Sequence, residues 1–156
     1  MVTREDIFKR LENVFDPEVP VLTVLDLGIV RDVLVTASEI QVTITPTYSG
    51  CPAMNTIEAD IIKELNDLGS IKVLTLLSPA WTTDWMSEAG KLKLREYGIA
   101  PPVEGGRGMF ENPQVDCVRC GSKNTKMLAQ FGSTACKAMY QCQDCFEPFD
   151  YFKCHR

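Results

Sequence analysis

The sequence predicts a small two-layer α+β domain, with three helices on a small mixed sheet, followed by a β ribbon that a metal stabilises. Three observations support this fold class. Helical and strand-like patterns alternate over the first two-thirds of the chain, six of the seven cysteines lie after residue 116, and a segment rich in proline and glycine separates the two regions. We therefore expect a first domain at residues 1–100, a linker at 101–113 and a second domain at 114–156.

The first domain is predicted to contain three helices. Thr3 and Asp6 form a capping-box pattern ahead of apolar residues at helical spacing, which predicts a helix near the start of the chain. The second helix is predicted to begin at Pro52, because proline is favoured at the first helical position, and to end at Gly69. The third helix is predicted over Met86–Tyr97.

Three extended segments are predicted between these helices. Ile40–Thr45 alternates apolar and polar residues, which is typical of a half-buried strand; Ile29–Val35 precedes it and Ile71–Leu77 follows the second helix. The second domain offers only short extended segments, at Lys126–Phe131, Ala138–Gln141 and Phe149–Phe152. A region of about forty residues buries too little apolar surface to fold unaided, so we expect a metal to hold it.

Composition excludes several classes of function. The chain has 156 residues, a net charge of −5 and a sequence pI near 4.9, which disfavours nucleic-acid binding. No apolar run reaches the roughly 18 residues that a membrane helix needs, and the N-terminal residues lack the apolar centre of a signal peptide. We therefore expect a cytoplasmic protein without a membrane partner. A single histidine, His155, leaves almost no room for a Ser-His-Asp triad, and the lack of an internal histidine as a base disfavours a thiol enzyme such as a thioesterase or reductase.

The strongest motif is a pair of Cys-x-x-Cys turns, Cys117 with Cys120 and Cys142 with Cys145. Two such turns place four thiolates in the tetrahedral arrangement of structural Zn²⁺ sites. Because the protein would fill all four positions, we interpret the zinc as structural. The same ligands suit two alternatives, iron in a rubredoxin-like site or an iron–sulfur cluster.

Three further residues near this motif have two interpretations each. Cys136, Cys154 and His155 are either small buried side chains and a terminal tail, or functional groups. In the functional interpretation, Cys136 is an accessible thiol whose pKa is lowered by Lys137, and Cys154 or His155 replaces one of the four metal ligands.

Cys51 is the most informative residue of the first domain. It lies between a predicted strand and the helix predicted to begin at Pro52, so we expect it to be the N-cap residue. The helix dipole would there lower the pKa of the thiol and favour nucleophilic or metal-binding chemistry; the alternative is an inert buried cysteine. Asp16, Glu18 and Asp26 are either caps and turn formers, or partners of Cys51 if the fold brings them near it.

These motifs resemble those of known families. Asp16-Pro17-Glu18, Asp26-Leu27-Gly28-Ile29-Val30, and Thr47 ahead of Cys51-Pro52 resemble the iron–sulfur-assembly domain of SufT-type proteins. This domain followed by a four-cysteine ribbon containing Phe131-Gly-Ser-Thr-Ala-Cys136-Lys is similar to the PaaD family, the accessory proteins of phenylacetyl-CoA ring epoxidase. The resemblance covers nearly the whole chain, and the combination of the two domains is more specific than either motif.

The resemblance implies a role in aerobic phenylacetate degradation. A PaaD-type protein would assist assembly or repair of an iron–sulfur or di-iron centre in a reductase or oxygenase subunit of the epoxidase. The alternative is a non-catalytic structural subunit of the multicomponent oxygenase complex.

The resemblance also assigns roles to residues of the first domain. The family's motif cysteine maps onto Cys51, which would hold iron or a transient iron–sulfur cluster, or contact the client protein. The supporting positions map onto Asp16, Glu18, Asp26 and Thr47. One cysteine cannot complete a four-ligand cluster, so cluster binding would require a homodimer, a second thiol such as Cys136, or thiols of the client.

Overall fold

A computed structural model describes residues 1–103 and 113–153. The chain divides into two compact units, Met1–Gly90 and Lys91–Arg156. This division falls before the predicted domain end at residue 100, and most of the predicted linker at 101–113 lies outside the described residues. No helix in the described ranges is long and apolar enough to cross a bilayer.

The first unit contains a mixed three-stranded sheet with helices on it. Its elements are α1 (Arg4–Leu11), α2 (Val24–Leu27), β1 (Val30–Val35), β2 (Ile40–Ile44), α3 (Met54–Leu65) and β3 (Ile71–Thr75). The strand order is β1-β2-β3, in which β1 is antiparallel to β2 and β3 is parallel to β2. The prediction of an α+β domain on a mixed sheet is confirmed, whereas the short helix α2 was not predicted.

Apolar residues at the predicted spacings form the core of this unit. The capping box at the start of α1 is present, with the Asp6 N–H bonded to the Thr3 hydroxyl and the Thr3 N–H bonded to the Asp6 carboxylate. The core positions on α1, α3 and the sheet are Ile7, Leu11, Ile57, Ile61, Leu65, Val33, Ile40, Val42 and Ile44. These positions bury one face of each helix against the sheet.

The segment at residues 81–85 is attached to the turn that follows α2. The indole N–H of Trp81, which is 1% exposed, donates to the carbonyl of Leu27 over 2.7 Å. Gly28 ends α2 with a φ of +73°, and a Cβ at this position would overlap the carbonyl oxygen of Trp85. The Arg31 guanidinium lies 3.5 Å from the centroid of the Trp85 ring. Neither tryptophan lies in an α-helix.

The second unit contains a four-stranded sheet of order β4-β7-β6-β5. Helix α4 (Glu88–Tyr97) spans the boundary between the units and begins two residues later than predicted; β4 (Ile99–Ala100), β5 (Thr125–Ala129), β6 (Lys137–Cys142) and β7 (Pro148–Phe152) follow. β5, β6 and β7 form an antiparallel ribbon, and β4 is parallel to β7. The buried cluster of this unit is Ala100, Val115, Cys117, Ala138, Tyr140, Cys142, Phe149 and Tyr151. Two of the predicted metal ligands therefore belong to the core of the ribbon.

Candidate metal centre and the Cys51 loop

The four cysteines of the two Cys-x-x-Cys motifs come together at one end of the ribbon. Their sulfur atoms all lie within 4.8 Å of one another. The Cys117 and Cys145 sulfurs are 3.7 Å apart, and those of Cys120 and Cys142 are 3.6 Å apart. In a tetrahedral site with Zn–S bonds of about 2.3 Å, neighbouring sulfurs are about 3.8 Å apart. The donor set and its spacing therefore fit one metal ion.

The two metal-binding turns, which we name the first knuckle (residues 117–122) and the second knuckle (residues 142–147), share one hydrogen-bond pattern. In each, the N–H of the first cysteine donates to the carbonyl five residues later, over 2.8 Å from Cys117 and 3.1 Å from Cys142. The sulfur of that cysteine accepts the N–H of the residue two positions on, over 3.3 Å at Cys117 and 3.4 Å at Cys142. These N–H groups stabilise thiolates at the position of the metal.

The thiols of the cluster differ in proton affinity. The backbone N–H of Cys145, aided by that of Asp144, lowers the pKa of Cys142 to about 6. The Glu147 N–H lowers the pKa of Cys145, but burial and the neighbouring thiols raise it by more, to about 12. Cys142 is therefore more acidic than Cys145, and metal binding favours the thiolate form of both.

Cys136 lies outside this cluster and is buried, with 5% exposure. Its sulfur is 3.0 Å from the Thr134 hydroxyl, and the Lys153 N–H donates to its carbonyl over 2.8 Å. The cation whose charge interacts with this thiol is that of Lys153, which also bonds to the Gln130 carbonyl. The interpretation of Cys136 as an accessible thiol is therefore wrong. Cys154 and His155 lie outside the described residues.

Cys51 lies in a turn before α3 rather than at its N-cap. The helix begins at Met54 with Ala53 as the N-cap residue, so the predicted helix start is two residues early. The Cys51 N–H donates to the Tyr48 carbonyl over 3.2 Å, and Gly50 has a φ of +80° within this turn. Glycine adopts this left-handed backbone conformation without strain, so the chain can turn at this position before the helix begins.

The pKa of Cys51 is raised, against the expectation of a lowered value. Burial is the largest cause, and the negative charge of Glu18 adds to it. The Ala53 N–H and the hydroxyls of Tyr48 and Thr47 lower the pKa, but by less. The helix dipole does not reverse this balance because Cys51 precedes the first helical turn. The thiol form of Cys51 is therefore favoured at neutral pH.

Glu18, one of the three acids predicted to support Cys51, carries a negative charge that acts on its thiol. Asp16 holds the turn that carries Glu18, because its carboxylate accepts the N–H groups of Glu18 and Val19 over 2.7 and 2.9 Å. Asp16 therefore acts as a turn former, and Glu18 is placed by that turn.

Asp26 is engaged with other partners. One carboxylate oxygen accepts the N–H of Thr23 over 3.1 Å, which completes a capping box on α2. The other accepts the hydroxyl of Ser87 over 3.0 Å, and the Asp26 carbonyl accepts the Ser87 N–H over 2.9 Å. The Thr-x-x-Asp pattern of Thr23 and Asp26 was the sequence signal for α2, and it was missed.

The Cys51 loop does not by itself form a cluster site. In residues 1–103 and 113–153, the ribbon cysteines are the one group of three or more side chains whose ligand atoms lie close enough for a metal. An iron–sulfur cluster takes four protein ligands, so the other ligands of any cluster at Cys51 would come from elsewhere.

These features define a class of protein, an iron–sulfur-assembly-type α+β domain joined to a zinc ribbon. Residues 4–75 match the model of a family described as iron–sulfur cluster assembly protein, and residues 103–153 match the PaaD zinc beta ribbon domain. The chain belongs to the PaaD family, which confirms the resemblance found in its motifs.

Relatives and solved structures agree with this assignment. The chain is 46% identical to a putative 1,2-phenylacetyl-CoA epoxidase subunit of Escherichia coli K12, over 96% of this chain and 92% of that protein. It is 38% identical to an Fe–S protein maturation auxiliary factor of Porphyromonas gingivalis, over 59% of this chain and 90% of that protein. A crystal structure of a domain of unknown function, DUF59, from Bacillus anthracis matches with a TM-score of 0.54 and 30% identity, over 58% of this chain and 89% of that chain.

Proposed function

We propose that this protein is a non-catalytic accessory factor that assists the assembly of an iron–sulfur or di-iron centre in a component of a phenylacetyl-CoA epoxidase system. The observation that carries the proposal is 46% identity to the Escherichia coli epoxidase subunit over 96% of the chain, so that both units are included. Similarity over 59% and 58% of this chain to two Fe–S protein maturation auxiliary factors supports the maturation role.

The ribbon has a structural part in this proposal. Cys117, Cys120, Cys142 and Cys145 would hold zinc, and their spacing of 3.6 to 3.7 Å within each measured pair supports this assignment. Four protein ligands leave no open position for water or substrate, so the metal would stabilise the fold. Metal analysis of anaerobically purified protein tests this, with about one zinc and neither iron nor sulfide in the ribbon as the expected result.

In the proposed function, Cys51 binds the metal of the client transiently. Its thiol is the neutral form at rest, because burial and Glu18 disfavour the thiolate. An iron ion of the client centre would displace the proton, since a cation at the sulfur favours the thiolate. A single thiolate beside a carboxylate would bind iron weakly and release it readily, which suits transient handling. The remaining ligands would come from the client or from a second copy of the chain.

A matched pair of cysteine variants tests the role of Cys51. We expect Cys51→Ser to retain the zinc of the ribbon but to leave the client without its metal centre, with loss of most epoxidase activity in cells. Cys136→Ser, which changes a buried thiol outside the metal cluster, is the control and is expected to support normal activity. Full activity and a full metal complement of the client with Cys51→Ser would refute the proposed role.

The Escherichia coli relative is named as a subunit, which favours a second candidate function for this chain, a structural subunit of the oxygenase. Co-purification with the oxygenase at fixed stoichiometry, together with a dispensable Cys51, would support this candidate. Association only during maturation, and dependence on Cys51, would support the accessory factor.

A further inference from the structure

The two knuckles differ at the residue that follows their second cysteine. Gly121 has a φ of +78° in the first knuckle, and Phe146 has a φ of +64° at the equivalent position of the second. A left-handed backbone suits glycine and strains other residues, because their Cβ crowds the following carbonyl. Within the two described ranges, Phe146 is the one non-glycine residue with a positive φ.

Contacts of the Phe146 side chain with the rest of the fold do not compensate for this strain. It is 69% exposed, and its ring makes no aromatic or cation–π contact with the described residues. The Phe146 carbonyl accepts a hydrogen bond from the Gln141 amide over 3.1 Å, a bond that any residue at this position would make. The first knuckle shows that glycine allows the same hydrogen-bond pattern around the metal ligands. A strained residue that exposes a large apolar side chain indicates selection for something other than stability.

The surroundings of Phe146 indicate the kind of surface that it would contact. Asp144 and Glu147, both exposed, lie on the same knuckle, within two residues of Phe146. The Asp144 carboxylate accepts hydrogen bonds from the Ser122 hydroxyl and the Asn124 amide, whereas both acids remain exposed to solvent. An exposed aromatic side chain on a knuckle that carries two carboxylates is complementary to an apolar pocket with basic side chains at its rim.

We propose that Phe146, with Asp144 and Glu147, forms a protein-docking surface, named here the second-knuckle surface, whose aromatic ring enters an apolar pocket bordered by Lys or Arg on a protein partner. The assignment of that partner as a component of the epoxidase system rests on the proposed function. A single aromatic anchor at the centre of an interface can supply a large share of the binding free energy.

Binding measurements on the full-length, zinc-loaded protein test this proposal, with purified oxygenase and reductase components as partners. We expect Phe146→Gly to weaken the Kd for the client component at least about tenfold. The midpoint of urea unfolding of the ribbon should stay equal or rise, because glycine relieves the strain. Glu147→Lys is expected to weaken binding at low salt and to reduce its salt dependence. Leu128→Ala, which removes another exposed apolar side chain of the ribbon, is the control and should bind as the wild type does.

Three results would overturn the proposal. The first is an unchanged Kd for folded, zinc-loaded Phe146→Gly. The second is weaker binding accompanied by a lower unfolding midpoint or lost zinc, which would make Phe146 a structural residue. The third is dissociation of a homodimer by Phe146→Gly without any change in the Kd for the components, which would make the second-knuckle surface a contact between two copies of this chain.

The two proposals fail separately. Cys51→Ser tests the proposed function through maturation of the client, and Phe146→Gly tests the docking surface through the Kd. Normal maturation by Cys51→Ser would contradict the proposed function and leave the docking surface intact. Normal binding by Phe146→Gly would contradict the docking surface and leave the proposed function intact.

Discussion

The ribbon and the first unit place cysteine in opposite situations. The ribbon gathers four sulfur atoms within 4.8 Å and surrounds them with backbone N–H donors. The first unit carries Cys51 on a turn, half-buried, with a raised pKa and the Glu18 charge near it. Four thiols held close together bind a metal ion that becomes part of the fold. A single neutral thiol can instead bind a metal ion weakly and release it.

The same contrast extends to the source of stability. The first unit buries complete apolar faces of α1 and α3 against its sheet. The ribbon has a buried cluster of eight residues, of which Cys117 and Cys142 are themselves metal ligand candidates. The ribbon should therefore depend on its metal, and the first unit on close packing.

The largest effect is expected from Cys142→Ser, which tests whether the fold of the ribbon depends on its metal. Structural zinc contributes about 10–16 kcal/mol of apparent binding free energy in small zinc domains, and loss of one thiolate removes most of it. We expect loss of zinc and of hydrogen-exchange protection in β6. The first unit should keep its protection.

Cys136→Ser is the matched control for this prediction, since it changes a buried cysteine on the same ribbon. It should retain about one zinc per chain. Loss of zinc by Cys142→Ser with retained β6 protection would show that the ribbon folds without its metal.

A smaller effect is expected from Gly28→Ala, which tests whether the stability of the first unit depends on close packing. A Cβ there would overlap the Trp85 carbonyl, and the φ of +73° disfavours alanine. We expect the free energy of unfolding of the first unit to fall by more than about 2 kcal/mol, with unchanged zinc content. Urea unfolding followed by tryptophan fluorescence reports on this unit, because both tryptophans, Trp81 and Trp85, belong to it.

Gly50→Ala provides the control for this substitution. Gly50 also has a positive φ, of +80°, but a Cβ there would meet no atom within 4 Å. Its loss of stability should be about 1 kcal/mol, from backbone strain alone. Equal losses for the two variants would rule out the overlap with Trp85 as the cause.

The smallest effect is expected from Glu18→Gln, which tests whether the Glu18 charge contributes to the raised pKa of Cys51. Glu18 raises the pKa of the thiol because its negative charge disfavours the thiolate, so the neutral amide should lower that pKa. At a pH below the pKa, alkylation of Cys51 should then be faster, by up to about tenfold for each unit of change. The rate of reaction with iodoacetamide against pH, in zinc-loaded protein, measures this.

Glu12→Gln, at the exposed end of α1, removes the same charge elsewhere in the first unit and should leave the profile unchanged. Identical profiles for Glu18→Gln and the wild type would show that the Glu18 charge does not contribute to the raised pKa of Cys51.

Local patterns were sufficient for much of the fold. The Thr3–Asp6 capping box predicted α1, alternation predicted β2, and the two Cys-x-x-Cys turns predicted the end of the ribbon where the sulfurs meet. Each of these signals lies within a few residues of the chain. β4 was missed because two residues give no periodicity, and its pairing with β7 depends on residues far along the chain.

The surroundings of Cys51 depended on such distant contacts. Glu18 lies 33 positions earlier in the sequence, and its effect on the thiol depends on the turn that Asp16 holds. The start of α3 was misplaced because Pro52 fits both a first helical position and a turn. A residue such as Phe146 gave no sequence signal, since the left-handed backbone of a knuckle is expected at glycine.

The parallel pairing of β4 with β7 has a consequence for the order of folding. It joins Ile99 to Asp150 and Ala100 to Tyr151, pairs that are 51 residues apart. During synthesis, all the strands of the first unit are complete long before β7 leaves the ribosome, so that unit can fold first. The second sheet is complete only when β7 has paired with β4. Because these strands are far apart in the sequence, their pairing is expected to be slower than formation of the hairpins of the ribbon.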